Sequence, residues 1–189
     1  MKKIVIASGN KSKIKEFAEM LVGYEVIGSK QLGVTEEIEE TGETFYDNAL
    51  IKAKYVAEKL GVPALADDSG LMVDYLNGAP GVYSARFAGE NATDEMNNDK
   101  LLKALNGVTD RKAKFVSELV LYYPNGEIIS ARGETLGEIL TERKGNNGFG
   151  YDPIFFSFDL RKSFGEATDE EKNSVSHRGR ALKTLITKL

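Results

Sequence analysis

The chain has 189 residues, 41% of them hydrophobic and 29% charged, with a net charge of −4 and no cysteine. That is enough chain for one substantial domain or two lobes sharing a core, and neither fraction fits a disordered segment. The acidic balance argues against a nucleic-acid backbone as partner. The lack of cysteine excludes a disulfide framework or a thiolate metal site, which fits a cytoplasmic protein, and no apolar run reaches membrane-spanning length.

In chain order, Met1–Ala7 is too short for a signal-peptide core and predicts a first buried strand over Lys3–Ala7. It runs into Ser8-Gly9-Asn10-Lys11-Ser12-Lys13, after which Ile14, Phe17, Ala18 and Leu21 recur at helical spacing. A second helix is expected over Phe45–Leu60, with Thr44 as N-cap and Gly61 and Pro63 as its stop. A short apolar strand, Val62–Ala66, should end at a turn through Asp67-Asp68-Ser69-Gly70. A third helix should begin near Thr93 and close at Asn106-Gly107. Phe115–Tyr123 alternates with a period of two, turns at Pro124-Asn125-Gly126 and returns from Ile128 toward Leu140, a hairpin. A glycine-rich loop spans Gly145–Gly150, Thr168-x-x-Glu171 reads as a capping box, and a last helix buries Ala181, Leu182, Leu185, Ile186 and Leu189. Strands and helices alternate early and the hairpin lies late, so an α/β protein with a mixed sheet is expected. No repeat or linker divides residues 1–189, which read as one domain.

Four groups of residues could carry chemistry. Lys11 and Lys13 at a helix start oppose the partial positive charge of that end, which makes sense if an anion sits on the exposed amides. Two solvated surface lysines are the plain alternative. The same violation recurs at Ser176-His177-Arg178-Gly179-Arg180, with Lys172 shortly before. Asp67 and Asp68 point to opposite faces of a strand, so only one need meet a ligand. One glutamate of Glu36, Glu37, Glu39 and Glu40 together with Asp68 would offer the oxygen ligands that Mg²⁺ prefers. Finally, Gly145-x-x-Gly148-Phe149-Gly150-Tyr151-Asp152 could let Phe149 stack on a flat ligand and Asp152 accept hydrogen bonds from a base or ribose. A flexible loop with a buried Phe is the alternative there.

Taken in register, these segments resemble the inosine triphosphate pyrophosphatase family, the non-canonical purine nucleoside triphosphate pyrophosphatases. The residues that carry the resemblance are Ser8-Gly9-Asn10-x-x-Lys13, Glu39-Glu40-Thr41-Gly42-x-Thr44-Phe45, Asn48-Ala49-x-x-Lys52-Ala53 and Ala66-Asp67-Asp68-Ser69-Gly70-Leu71. Ala79-Pro80-Gly81-Val82-Tyr83-Ser84-Ala85-Arg86, Gly148-Phe149-Gly150-Tyr151-Asp152-Pro153-Ile154-Phe155 and Ser176-His177-Arg178-Gly179 complete it. Ser8 stands where the family commonly has Thr and Asp47 where it commonly has Glu, and both keep the chemistry.

The resemblance implies a long central mixed sheet, two lobes with the active site in the cleft between them, and a homodimer, for which Tyr83 and Phe87 are candidate contacts. It implies Mg²⁺-dependent cleavage of ITP, dITP and XTP between the α- and β-phosphorus atoms. On that basis Ser8, Gly9, Asn10, Lys11, Ser12, Lys13 and Lys52 should hold the triphosphate, with Ser69 beside them. Glu39 and Asp68 should bind the metal, and Asp68 should act as general base. Phe149, Gly150, Tyr151, Asp152, Lys172, His177 and Arg178 should form the base pocket. A related enzyme acting on modified pyrimidine or methylated guanine nucleotides, a module that senses ITP without cleaving it, and a reader of deaminated bases in DNA, which the acidic surface disfavours, are the rival readings.

Overall fold

The computed structural model describes residues 2–189. Seven strands form one mixed sheet in the order β2-β1-β3-β4-β5-β6-β7. They are β1 (Lys2–Ile6), β2 (Tyr24–Gly28), β3 (Ala64–Val73), β4 (Lys112–Tyr122), β5 (Ile128–Ile139), β6 (Phe155–Ser157) and β7 (Lys162–Ser163). Strand β1 pairs in parallel with both β2 and β3, whereas β5, β6 and β7 pair antiparallel. The helices are α1 (Lys11–Met20), α2 (Phe45–Leu60), α3 (Asp94–Ala104), α4 (Asp169–Val175) and α5 (His177–Ile186). No helix among the described residues is long and apolar enough to cross a membrane.

The chain forms two compact units, one of Met1–Asp68, Ser117–Gly133 and Ala181–Leu189, the other of Ser69–Val116 and Glu134–Arg180. The boundaries fall inside β3, β4, β5 and α5, so each unit is assembled from separate stretches of chain. In the first unit, alternate strand residues enter different clusters. Val5, Ala7, Ala64, Ala66, Val120 and Tyr122 pack with Ala49, Ala53, Val56 and Ala57 of α2. Ile6, Leu65, Leu119, Leu121 and Ala131 pack with Phe17 of α1 and with Ala181, Leu182 and Leu185 of α5. Period-two side-chain direction thus buries both sheet faces, which explains why β1 and β3 read as continuous apolar runs.

The second unit has its own core of Leu71, Val73, Leu101, Leu105, Phe115, Ile139, Phe155 and Phe164, with aromatic rings at centroid distances of 4.5–6.1 Å. Gly137 of β5 lets the β6 backbone approach: a Cβ there would lie 2.2 Å from the Phe156 carbonyl oxygen.

The expected caps form. Thr44 Oγ1 accepts from the Asp47 N–H, Thr168 and Glu171 make a reciprocal capping box, and Gly61 closes α2 in the left-handed conformation. Three expectations fail. The last helix buries Ala181, Leu182 and Leu185 but not Ile186 (46% exposed) or Leu189 (57% exposed), which lies past the end of α5. Strand β3 does not end at Asp67-Asp68-Ser69-Gly70 but runs straight through to Val73. Those residues favour turns when their side chains must find nearby backbone partners; here the aspartates have distant ones, described below. The structure also forms β2, an edge strand between α1 and Ser29 where the chain-order reading places none.

Candidate active site

The first unit gathers lysines and carboxylates around the middle of β3. Ile6, the last residue of β1, is in register with Leu65, and the Ala7 N–H donates to the Leu65 carbonyl at 2.8 Å, so Asp67 and Asp68 lie just beyond the C-terminal end of β1. That is where parallel sheets present ligand sites. The loop that follows β1 is shaped by Asn10, whose Oδ1 accepts from the N–H groups of Ser12 (2.9 Å) and Lys13 (3.2 Å), while the Asn10 N–H donates to Ser8 Oγ. No acidic residue occupies the first turn of α1, and Gly9, Asn10 and Lys11 are exposed.

Strand alternation sends the two aspartates to different partners. Asp67, fully buried, accepts from Ser117 Oγ (2.6 Å) and pairs with Lys13 Nζ (2.8 Å). Lys13, expected as a phosphate grip, is therefore tied to Asp67 in this structure. Lys52 Nζ donates to Glu40 Oε1 (2.6 Å), the Asp67 carbonyl (3.0 Å) and Asp68 Oδ1 (3.2 Å). Burial alone would lower the Lys52 ammonium, but Asp68, Glu40 and Asp67 together hold it above its ordinary pKa. Asp68 is 6% exposed, and burial raises its carboxyl above the usual range against the pull of Lys52 and Lys13. Its outer oxygen, Oδ2, is buried without a hydrogen-bond donor among the described residues.

Glu40, rather than the exposed Glu39, is the acid that joins this cluster. The residue pattern alone leaves both in one acidic run, and the resemblance names Glu39 as the metal ligand; the segment before α2 is irregular, so no spacing rule says which of the two faces Lys52. Asn48 of α2 holds that segment in place through a 2.7 Å bond from the Gly42 N–H to its Oδ1.

The second unit gathers cations around one aromatic ring. Phe149 is half-buried, with Lys172 Nζ 4.6 Å and the Arg178 guanidinium carbon 5.9 Å from its ring centre. Asp152 Oδ2 accepts from Lys172 Nζ (2.6 Å) and from the Phe149 N–H (2.9 Å). Asp152, read from sequence as a contact to base or ribose, here receives two donors of the chain itself and fixes Lys172 against the loop. Gly148 makes that possible, since with φ +73° it lies where a Cβ would be 2.1 Å from Asp152 Oδ2. His177 and Arg178 begin α5 as expected; His177 stacks on Phe115 at 4.8 Å, and Arg178 donates to Ser69 Oγ at 2.9 Å. Tyr151 turns into the core instead, donating to the Ser84 carbonyl at 2.7 Å, and burial raises its phenol far above the usual value.

Each unit therefore holds one chemically specific cluster, a cation–carboxylate group in the first and an aromatic ring flanked by donors in the second. The chain is 52% identical to a dITP/XTP pyrophosphatase of Haemophilus influenzae, with 99% of this chain and 98% of that one covered. It is 49% identical to a dITP/XTP pyrophosphatase of Vibrio parahaemolyticus, with 100% and 97% covered. Among solved structures it superposes on a HAM1 protein from Coxiella burnetii with a TM-score of 0.89 at 44% identity, covering 100% of both chains. The Staphylococcus aureus Ham1 protein gives 0.88 at 45% identity, covering 99% and 97%. The sequence model of the Ham1 family matches residues 4–188, and the chain belongs to that family.

Proposed function

We infer that this chain is a nucleoside triphosphate pyrophosphatase that cleaves ITP, dITP and XTP, the deaminated purine nucleotides, to monophosphate and pyrophosphate. The observation that carries the chemistry is Asp68: a buried carboxylate gripped on one oxygen by Lys52 and left without a donor on the other. Burial holds its pKa above the ordinary carboxyl value, which makes it the more basic carboxylate a general base requires. Asp68 takes a proton from the attacking water, the water oxygen bonds to phosphorus, and the bond between the α- and β-phosphates breaks. No side chain need form a covalent intermediate.

Lys52, with Lys13 and Lys11 at the start of α1, supplies positive charge for the triphosphate. The donor set also suits Mg²⁺. Among the described residues no three acidic or histidine side chains form a complete shell, but Mg²⁺ commonly takes one or two carboxylates and fills the rest with water and phosphate oxygens. The donor-free Asp68 Oδ2 is a hard oxygen of that kind, with Glu39 or Glu40 as the second carboxylate. Bound there, Mg²⁺ would neutralise charge on the phosphate oxygens.

The second-unit cluster suits a 6-oxopurine. Phe149 offers a stacking face, and Lys172 and Arg178 are donors matched to an acceptor oxygen. A 6-amino group in the same place would leave a donor unmet, at a cost of about 1–3 kcal/mol. GTP shares the 6-oxo group, so its rejection must act at the 2-position. We assign the protein to the cytoplasm, where the nucleotide pool lies, and to a homodimer. Replacing Asp68 by Asn tests the central role. Turnover should be lost while ITP binding, measured by calorimetry, is kept. Binding lost with turnover per bound nucleotide unchanged would exclude Asp68 as the base.

A further inference from the structure

The loop that presents Phe149 and Asp152 contains three residues with positive φ, Gly145 (+79°), Gly148 (+73°) and Gly150 (+60°). Glycines there give the backbone freedom that something must remove if the ring and the Asp152–Lys172 pair are to keep one position. Helix α3 supplies the restraint. Asp94 and Asn98 are four residues apart and so share a face. Asp94 Oδ2 accepts from the Gly150 N–H at 2.8 Å, and Asn98 Nδ2 donates to the Gly150 carbonyl at 3.0 Å. Both backbone polar groups of Gly150 thus end on one helix. Next to it, the Asp152 N–H donates to the Phe149 carbonyl at 3.2 Å, closing the turn.

We propose that Asp94 and Asn98 are positioning residues for purine recognition, clamping Gly150 so that Phe149, Asp152 and Lys172 meet the base in a fixed arrangement. The proposal rests on the pyrophosphatase reading above and deepens it. Asn98 is 3% exposed, and its Oδ1 is buried with no donor among the described residues. An apolar side chain would avoid leaving that acceptor unmet, so the position is held for the amide donor that reaches Gly150. The neighbouring Asn97 does a separate task, bridging the Ala85 carbonyl and the Ala88 N–H. Arg143 ties the outer side of α3 through Asp99 (2.7 Å) and the Glu95 carbonyl (3.2 Å). Consecutive residues of one helix therefore anchor different segments, and Asp94 and Asn98 hold the recognition loop.

The test uses Asn98→Ala and Asp94→Ala, with Asp94→Asn as the conservative variant that keeps an acceptor for the Gly150 N–H. Both alanine variants should raise KM for ITP by about ten-fold with kcat changed less than two-fold, as expected for one lost positioning hydrogen bond. The preference for ITP over ATP should narrow, and the Gly150 amide should exchange faster in Asp94→Ala and recover in Asp94→Asn. A merely structural role would lower the melting temperature and leave the KM-to-kcat split and the Asp94→Asn rescue absent. Unchanged KM in both alanine variants, beside normal wild-type turnover, overturns the clamp alone. If wild-type protein fails to hydrolyse ITP, the pyrophosphatase reading falls instead; inosine nucleotide affinity and Gly150 exchange across the same variants then decide the clamp.

Discussion

Replacing Lys52 by Met removes the one ammonium that joins Glu40, Asp68 and the Asp67 carbonyl. The side chains of Lys52 and Asp68 are 11% and 8% exposed, so the pair is largely out of water. Breaking a buried pair on one side costs about 3–5 kcal/mol. Lys13 still acts on Asp68 electrostatically, which points to the lower end. For a protein of this size about 3 kcal/mol corresponds to a fall of about 6–12 °C in melting temperature. The loss depends on pH. Asp68 already has a folded-state pKa above its unfolded value, and without Lys52 that pKa rises further. A carboxyl raised by folding favours the folded state most below its unfolded pKa, and that advantage is lost as pH rises through the folded one. The variant should therefore be most destabilised at neutral pH and recover part of the difference by pH 5. The acid limb of its residual kcat/KM should move to higher pH. Calorimetric scans of both proteins at pH 7.5 and pH 5 measure this. A fall under about 2 °C, or an equal fall at both pH values, would refute the claim that Lys52 offsets a buried charge on Asp68.

Two further outcomes follow from single contacts. Gly148→Ala places a methyl 2.1 Å from Asp152 Oδ2 at a φ of +73°, so the Asp152–Lys172 arrangement must shift. ITP affinity should fall by more than about ten-fold, with a loss of a few kcal/mol or less in stability, read by calorimetry and thermal unfolding. The exposed Tyr83 (59%) and Met96 (48%) leave apolar surface on the second unit. Sedimentation equilibrium should give a dimer, and Tyr83→Glu should shift it toward monomer; a wild-type monomer would contradict the dimer assignment.

Much of the framework could be read from local chemistry. Thr44 and Gly61 bound α2, Thr168 and Glu171 mark α4, and the Pro124-Asn125-Gly126 turn marks the β4–β5 hairpin, because each signal acts within a few residues. The cation-rich starts of α1 and α5 were legible for the same reason. The course of β3 was not. Asp-Asp-Ser-Gly reads as a turn, but Ser117, 50 residues away, and Lys13 meet the Asp67 carboxylate while Lys52 holds one oxygen of Asp68, so both aspartates stay within the strand. Tertiary partners override local propensity there, and they do so at the proposed catalytic group. The contact of Glu40 with Lys52 and the inward turn of Tyr151 depend likewise on contacts no spacing rule encodes. Asp94 and Asn98 gave no signal at all, since polar residues on an exposed-looking helix are ordinary until the loop they hold is seen.

The most direct test of the central claim is pyrophosphate release from ITP, XTP, GTP and ATP, each with Mg²⁺ and with EDTA. Rapid release from ITP and XTP that EDTA abolishes, with little from GTP and ATP, is the predicted result. Release from none of the four, or equal release from ATP and ITP, would contradict a pyrophosphatase that selects deaminated purines.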